Sequence, residues 1–532
     1  MKLITAILFL TLALSGQTSA NSQSYDLVVY GATAGGIITA VRAARMNLKV
    51  ALIEPRHHIG GMVTGGLSRT DIGKREVIGG DSLEVYWRAA THYGLAQFGQ
   101  SFAWYMEPHV AEQILGKMLQ EAGVTVLLDR RLRESGGVRK EGGHLREITL
   151  ENGDRFTAKI FADATYEGDL MAQAGVTYTW GRESSAQYGE ALAGVRSETP
   201  LHQFLVDLPR GAAQVTEQAG EPGTADRKVQ AYNFRLILSH DPANQVPYPK
   251  PANYNPERYE LFGRLLQAMQ QKLGRAQKLG EVLSIGPIPN QKADMNNQGP
   301  VSTDYIGKSW DYPNANYAKR QEIWRDHEDY TKGLVYFLAH DARVPPSLQK
   351  EANEWGLAKD EFTDNGNFPN QLYIREARRM VGEYVMTQKD IQTDLTKPDA
   401  IGMGTYNSDS HNLQRIVNRD GFLRNEGDMQ VAVKPYQIPY RMLVPKKSEA
   451  DNLLVPVCFS ASHVAYSTLR MEPQYMIAGQ AAGVAAAMAI QGNRSVQDID
   501  TGDLTRTLVQ QGAILEYSPS AQMAVATKFR VK

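Results

Sequence analysis

The chain has 532 residues, 42% hydrophobic and 22% charged, with a formal net charge of −1. No basic excess points to nucleic acid, and the single cysteine, Cys458, excludes an intramolecular disulfide, a Cys-x-x-Cys redox pair and a cysteine-based zinc site. Redox chemistry in such a chain needs a cofactor, and the length exceeds what one core usually supports, so two domains are expected.

The N-terminus reads as a targeting segment. Lys2 precedes an almost wholly apolar run from Leu3 to Leu14, and Thr18-Ser19-Ala20 offers small residues for cleavage before Asn21. Residues 1–20 are expected to be a signal peptide, which makes the protein periplasmic or secreted. An uncleaved anchor is the other reading, although the run is much shorter than the roughly 20 apolar residues of a membrane span.

Tyr25 to Glu54 reads as strand, helix, strand. Leu27 to Tyr30 is apolar, Gly31-Ala32-Thr33-Ala34-Gly35-Gly36 is a tight turn, an Ala-rich helix runs to about Met46, and a second apolar run, Val50 to Ile53, ends in Glu54. The turn brings N–H groups and the positive end of the helix to a pyrophosphate, and Gly36 lets helix and sheet approach closely. Glu54 follows Gly31 by 23 residues, near the spacing of the acid that bonds a ribose 2′-hydroxyl. Such an acid disfavours a 2′-phosphate and favours FAD or NAD. Thr33 stands where G-x-G-x-x-G has its second glycine, and its hydroxyl is a candidate phosphate contact; a nucleotide-free α/β unit is the alternative. Pro55 then opens a stretch through His57, His58, Gly60, Gly61 and Met62 to Gly66, whose glycines suit a backbone passing close to a large flat ligand such as an isoalloxazine. A plain surface loop is the alternative, and His57 and His58 read as solvent-facing rather than as covalent flavin attachment points.

Glu107 to Leu119 has the pattern of an amphipathic helix and Gly123 to Leu128 that of a strand, the next crossover of a parallel sheet, after which Leu132 would offer backbone to adenine. Asn152-Gly153 marks a hairpin turn. Ile160 to Asp169 reads as a buried strand breaking into an acidic loop, whose carboxylates are metal ligands or, as preferred, caps for a helix from Leu170 to Ala174.

Residues 183–431 interrupt the pattern. They are rich in Tyr, Asn and Pro and lack a second Gly-rich strand-turn-helix, so no NAD(P)H domain is evident. The segment is expected to be a substrate domain whose polar aromatic walls bind sugars or polyols. Arg375-Glu376-Ala377-Arg378-Arg379 reads as the opening of a helix with Arg375 and Arg379 on one face, either salt-bridged at a domain junction or holding an anionic substrate group. Tyr406 to Asn412 reads as a polar loop too rich in hydrogen-bonding groups to be core. If the chain binds a flavin and oxidises an alcohol, a hydride moves to flavin N5 while a base takes the hydroxyl proton, so His411 in this loop and His463 downstream are the candidate bases, with His463 preferred. A metal held by both histidines and Asp409 is the other reading, and no metal is assigned. Finally, Leu453 to Val457 reads as a buried strand, and Met476 to Ile490 as a helix so rich in Ala and Gly that it packs closely on something flat.

Together these motifs resemble the FAD-dependent oxidoreductase family often found in exported bacterial proteins and sometimes labelled xanthan lyase-like. Gly31 to Gly36, including Ala34 and Gly35, is similar to its variant fingerprint, and His58-Ile59-Gly60-Gly61-Met62 to its flavin-side loop. Ala164, Thr165, Gly168 and Asp169 resemble its second cofactor segment, and Ser460 to Ala465, Arg470 to Pro473 and Gly479 to Gly483 its closing flavin motif. The resemblance runs from Tyr25 to about Ile490. It implies a non-covalent FAD with Ser460, Glu472, Gly479 and Ala482 beside it, and a helix start aimed at flavin N1 and O2. Arg470 would reinforce that field and, being costly to bury alone, should have a partner.

The expected fold is α/β: a Rossmann-like FAD-binding domain of the two-dinucleotide-domain flavoprotein type, residues 24–182 and 432–500, interrupted by an α+β substrate domain and followed by an extension at 501–532. The expected function is an FAD-dependent dehydrogenase or oxidase of a carbohydrate-like or other small polar alcohol, with an unnamed electron acceptor. A redox-neutral FAD-dependent lyase on glycans and a glycan-binding flavoprotein without turnover are the alternatives. No stable membrane insertion is expected.

Overall fold

The computed structural model describes residues 22–196, 199, 201–211, 215, 220–522 and 525; the candidate signal segment at 1–20 lies outside them. Strand β1 (Ser22–Tyr30), helix α1 (Ala34–Arg45) and strand β2 (Val50–Ile53) form the expected parallel crossover. After helix α2 (Gly80–His92), helix α3 (Pro108–Ala122) leads to β3 (Thr125–Leu127), parallel to β2. An antiparallel pair, β4 (Val138–Glu141) and β5 (His144–Thr149), returns through a turn with Gly153 at φ +90° into β6 (Arg155–Asp163). β6 lies parallel beside β1, so the order across the sheet is β3-β2-β1-β6-β5-β4. Leu27, Val28, Val29 and Tyr30 are all buried, the near-continuous apolar run of a strand covered on both faces. The ends of β1, β2, β3 and β6 open on one edge, where such sheets bind ligands. Helix α4 (Asp169–Gln173) begins there.

The middle segment builds a five-stranded antiparallel sheet in the order Leu283–Ile288, Lys292–Asn297, Leu236–Ser239, Gly356–Ala358, Gln245–Val246, with helix α5 (Tyr317–His340) beyond it. One apolar cluster contains Leu27 and Val41 of the parallel sheet layer together with Leu238 and Phe337, so this segment packs directly on the first. Two local expectations are overturned. Arg375 to Arg379 is not helical: residues 375–378 are in no regular element and Arg379–Met380 pairs with Tyr178–Thr179, and Arg375 and Arg379 are 1% and 0% exposed. Residues 408–410, expected in an exposed polar loop, form a fully buried strand against Met429–Val431. In both places the side chains pair with one another inside the molecule instead of with water.

The chain then returns to the first sheet. Strand β7 (Leu453–Leu454) pairs parallel to the second half of β6, followed by α6 (His463–Leu469) and α7 (Glu472–Gly492). α7 crosses α1 so closely that a Cβ on Gly479 would lie 2.2 Å from the Gly35 carbonyl oxygen, and one on Gly483 2.7 Å from that of Thr39. The close packing expected of these small residues is made against a helix, and Gly479 and Ala482, which the resemblance put beside FAD, are taken up there: Gly479 is spent on the contact with Gly35, and Ala482 is fully buried in the same layer. Among the described residues no helix is long and apolar enough to cross a membrane.

Candidate active site

The crevice at the sheet edge starts where β1 turns into α1. Gly31 adopts φ +101°, and a Cβ there would lie 2.6 Å from the Thr165 nitrogen; one on Gly36 would lie 2.0 Å from the Gly31 oxygen. Only glycine fits either place. Thr33 is the N-cap of α1, accepting from the Gly36 N–H at 3.2 Å and donating to the Ala164 carbonyl at 2.8 Å. Its only proton is thus committed, so the turn offers a phosphate its backbone rather than this hydroxyl. Glu54 ends β2 with its carboxylate accepting the Ala32 N–H at 2.6 Å and the Arg56 N–H at 3.0 Å; burial pushes this carboxyl up to about 7.

These groups open on a cavity of about 940 Å³ that is also lined by Pro55, Gly61, Thr165 and Asp169. The lining fits an adenine dinucleotide. An acid stands ready for ribose hydroxyls, the α1 N-terminus and the Arg56, Arg130 and Arg131 guanidiniums supply positive charge for a diphosphate, and the volume is that of a small-molecule site. Leu132 stands behind this wall: its N–H donates to the Tyr30 hydroxyl at 2.9 Å and its carbonyl accepts from Tyr317 at 3.0 Å, so both backbone groups expected for adenine are taken. Exposed His57 pairs with Asp129 at 2.9 Å, while His58 lies between Glu112 and Asp364, which raise its pKa.

The second segment works as capping. Asp163 accepts from Thr165 N–H at 3.0 Å, Thr165 Oγ1 at 2.7 Å and Met171 N–H at 2.8 Å, the last in the first turn of α4. Asp169 is held by Arg320, at 2.7 and 3.0 Å, and by Arg378 at 2.7 Å. Gly60 and Gly61, at φ +94° and +57°, carry the loop past the cavity, and the Gly60 N–H donates to the Ala32 carbonyl at 2.6 Å. Two residues on, the Met62 N–H donates to Tyr166 Oη at 2.9 Å, which donates to Glu472 Oε1 at 2.6 Å. Glu472, first residue of α7, is thereby tied to the glycine loop, and burial pushes its carboxyl up to about 8. Ser460 faces away from the cavity, donating to the Tyr384 carbonyl at 2.6 Å and accepting from the Gly382 N–H at 3.0 Å.

A second, largely buried polar centre joins the middle segment to α6, with His411 its partly exposed member. His463 is 3% exposed with both ring nitrogens engaged, Nδ1 with Glu376 Oε2 at 2.8 Å and Nε2 with Ser410 Oγ at 3.2 Å. Burial, reinforced by Arg379, lowers its pKa to about 3. His411 adjoins Ser410 in the chain and contacts Asp304, its Nδ1 2.6 Å from Asp304 Oδ2 and its Nε2 3.8 Å from Asp409 Oδ1. Burial works against ionised Asp304, yet Arg375 and then His411 hold that carboxyl at about 2. Burial and then Arg375 lower the pKa of His411, which favours its neutral form. Arg470 has the expected partner: its Nη2 lies 3.2 Å from Asp409 Oδ2 and donates to the Asp409 carbonyl at 2.8 Å, while Nη1 donates to Tyr373 Oη at 3.1 Å. The two histidines are thus brought together through Ser410. Asp304, Glu376 and Arg375 complete the centre; Glu376 and Arg375 were visible in sequence but read as a helix salt-bridged at a domain junction or holding an anionic substrate group, and Asp304 carried no motif. Among the described residues, Glu107, His109 and Glu361 could together hold an ion, but the Lys292 ammonium stands between the two carboxylates at 2.5 and 2.7 Å.

Comparison with known proteins bears on this geometry. The profile of a family described as FAD dependent oxidoreductase matches residues 26–508. A dihydrolipoyl dehydrogenase from Zymomonas mobilis is 41% identical over 80 residues, 15% of this chain and 16% of that protein's length. A solved geranylgeranyl bacteriochlorophyll reductase-like protein from Thermoplasma acidophilum aligns over 92% of this chain and 83% of its own, at 13% identity and a TM-score of 0.33. Lactococcus lactis thioredoxin reductase aligns over 26% of this chain and 34% of its own, at 17% identity and a TM-score of 0.18.

Proposed function

Since the chain belongs to the FAD dependent oxidoreductase family, we propose that it is an exported dehydrogenase or oxidase acting on an alcohol of a carbohydrate-like or other small polar substrate. The bound flavin supplies the hydride acceptor. The observation that carries the reading is the His411–Asp304 pair. Asp304, ionised beside Arg375, fixes the tautomer of His411 with its proton on Nδ1, which leaves Nε2 a lone pair for a substrate hydroxyl proton. Its lowered pKa keeps the imidazole neutral and so competent as a base. His463 has no free nitrogen and acts at one remove. Its Nδ1 is engaged by Glu376 and its Nε2 by Ser410, which positions the residue next to His411. The polar class of substrate is supported by a cavity of about 630 Å³ between the middle segment and the end of the first, lined by Trp180, Trp310, Asn314, Asn316 and Lys228, which offers flat rings beside hydrogen-bonding groups. Export is supported by the segment from Lys2 to Ala20.

Anaerobic titration of the flavin absorbance with a panel of sugars, polyols and hydroxy acids tests this. One of them should bleach it, and His411→Ala should keep FAD bound while slowing reduction by about 10²–10⁴-fold, the usual loss for a general base. Turnover without net bleaching, or unchanged reduction in His411→Ala, would overturn the assignment.

A further inference from the structure

The cavity beside Gly31 and Glu54 has a wall that the parallel sheet does not provide. Tyr317, Arg320, Gln321, Trp324, Arg325 and Glu328 of α5 all line it. Their spacing is that of one face of a helix, three and four residues apart in turn. The opposite face buries Ile323, Tyr330, Leu334 and Phe337 in the apolar core, so α5 is held from behind while it turns a stripe of two aromatic rings, two guanidiniums, an amide and a carboxylate toward the cavity. A stripe of that composition is suited to a polar, planar ligand rather than to packing.

Its rings are already matched to the cofactor segments. The Arg56 guanidinium, two residues beyond Glu54, lies 3.8 Å over the Trp324 ring, and that of Arg131 lies 4.5 Å over Tyr317. The start of the helix is pinned to the same segments by Arg320 on Asp169, by Tyr312 on Glu167 at 2.9 Å and by Tyr317 on the Leu132 carbonyl at 3.0 Å.

We propose that the α5 stripe is the outer wall of the dinucleotide site, so that the middle segment, besides any role toward substrate, retains the adenosine diphosphate half of FAD, with Trp324 and Tyr317 as its stacking surfaces. Aromatic rings and guanidinium planes stack on any base, and Arg56, Arg131 and Arg325 offer charge to the two phosphates. The cofactor's retention then depends on a helix almost 300 residues from the glycine turn in sequence.

The test is the rate at which purified holoprotein releases FAD on dilution, followed by the rise of free-flavin fluorescence, with thermal unfolding of the apo form as the control for folding. Trp324→Ala should release FAD about ten- to hundredfold faster, the effect of losing one stacked base contact, and Trp324→Phe should restore most of the retention. Gln321→Ala combined with Arg325→Ala alters exposed positions that do not support the core, so it reads the wall even if Trp324→Ala proves unstable; it should also speed release. If Trp324→Ala, with apo stability intact, or the double variant releases FAD at the parent rate, α5 does not hold the cofactor. A parent protein that binds no FAD would overturn the cofactor assignment together with this one.

Discussion

Single residues carry the sharpest physical demands. Asp428 is 1% exposed, neither carboxylate oxygen has a hydrogen-bond partner among the described residues, and burial, reinforced by Asp409 and Asp304, pushes its carboxyl up to about 8. The folded state therefore holds this proton over a window, from the ordinary carboxyl range up to about pH 8, in which the unfolded chain has lost it. The stability this contributes is complete below the ordinary range and lost as pH rises through about 8. Urea midpoints of the parent should fall between pH 5 and pH 8 more steeply than those of Asp428→Asn. Parallel slopes would show that Asp428 is ionised and paired. Thr33 makes the complementary case. Thr33→Ala removes the cap of α1, a loss of about 1 kcal/mol, together with the bond to Ala164; Thr33→Ser keeps both and should match the parent in melting temperature.

Among the elements, α1 and α7 decide whether the cofactor turn is presented at all. Their crossing leaves no room at Gly479, and a methyl there meets the Gly35 backbone, which cannot move without moving the phosphate turn. Gly479→Ala should cost about 1–3 kcal/mol and lower the FAD-to-protein absorbance ratio. Gly116→Ala in α3 is the control, since its new Cβ would meet only Ile59 Cδ1 at 3.7 Å. It should bind FAD normally and be no less stable, because alanine favours the helix. Equal behaviour of the two variants would mean that the crossing relaxes without disturbing the turn. The same crossing explains why the sequence misleads here. A run such as Gly479-Gln480-Ala481-Ala482-Gly483 announces close approach, but not to what.

On the scale of the whole molecule, export remains a matter of the first 20 residues, and intact mass spectrometry of the mature protein should find Asn21 or a near neighbour at the N-terminus; Met1 on cytoplasmic protein would refute the signal peptide. What the sequence by itself determined is local. The strand-turn-helix-strand from Leu27 to Glu54, the α3–β3 crossover, the hairpin at Asn152-Gly153 and the buried strand that starts at Leu453 are written in short-range periodicity and turn chemistry, because steric limits on adjacent residues enforce them. Whether a charged run is solvated or buried is a non-local fact. Arg375, Glu376 and Asp409 stand in stretches too polar to read as core from their neighbours in sequence, and only the folding of residues 183–431 back onto α6 supplies the partners that offset their desolvation. For the same reason the preferred base shifts from His463 to His411. Distance along the chain put His463 beside the cofactor helix, but the tertiary structure engages both its nitrogens, whereas of the His411 ring only Nδ1 lies within hydrogen-bonding distance of a partner among the described residues.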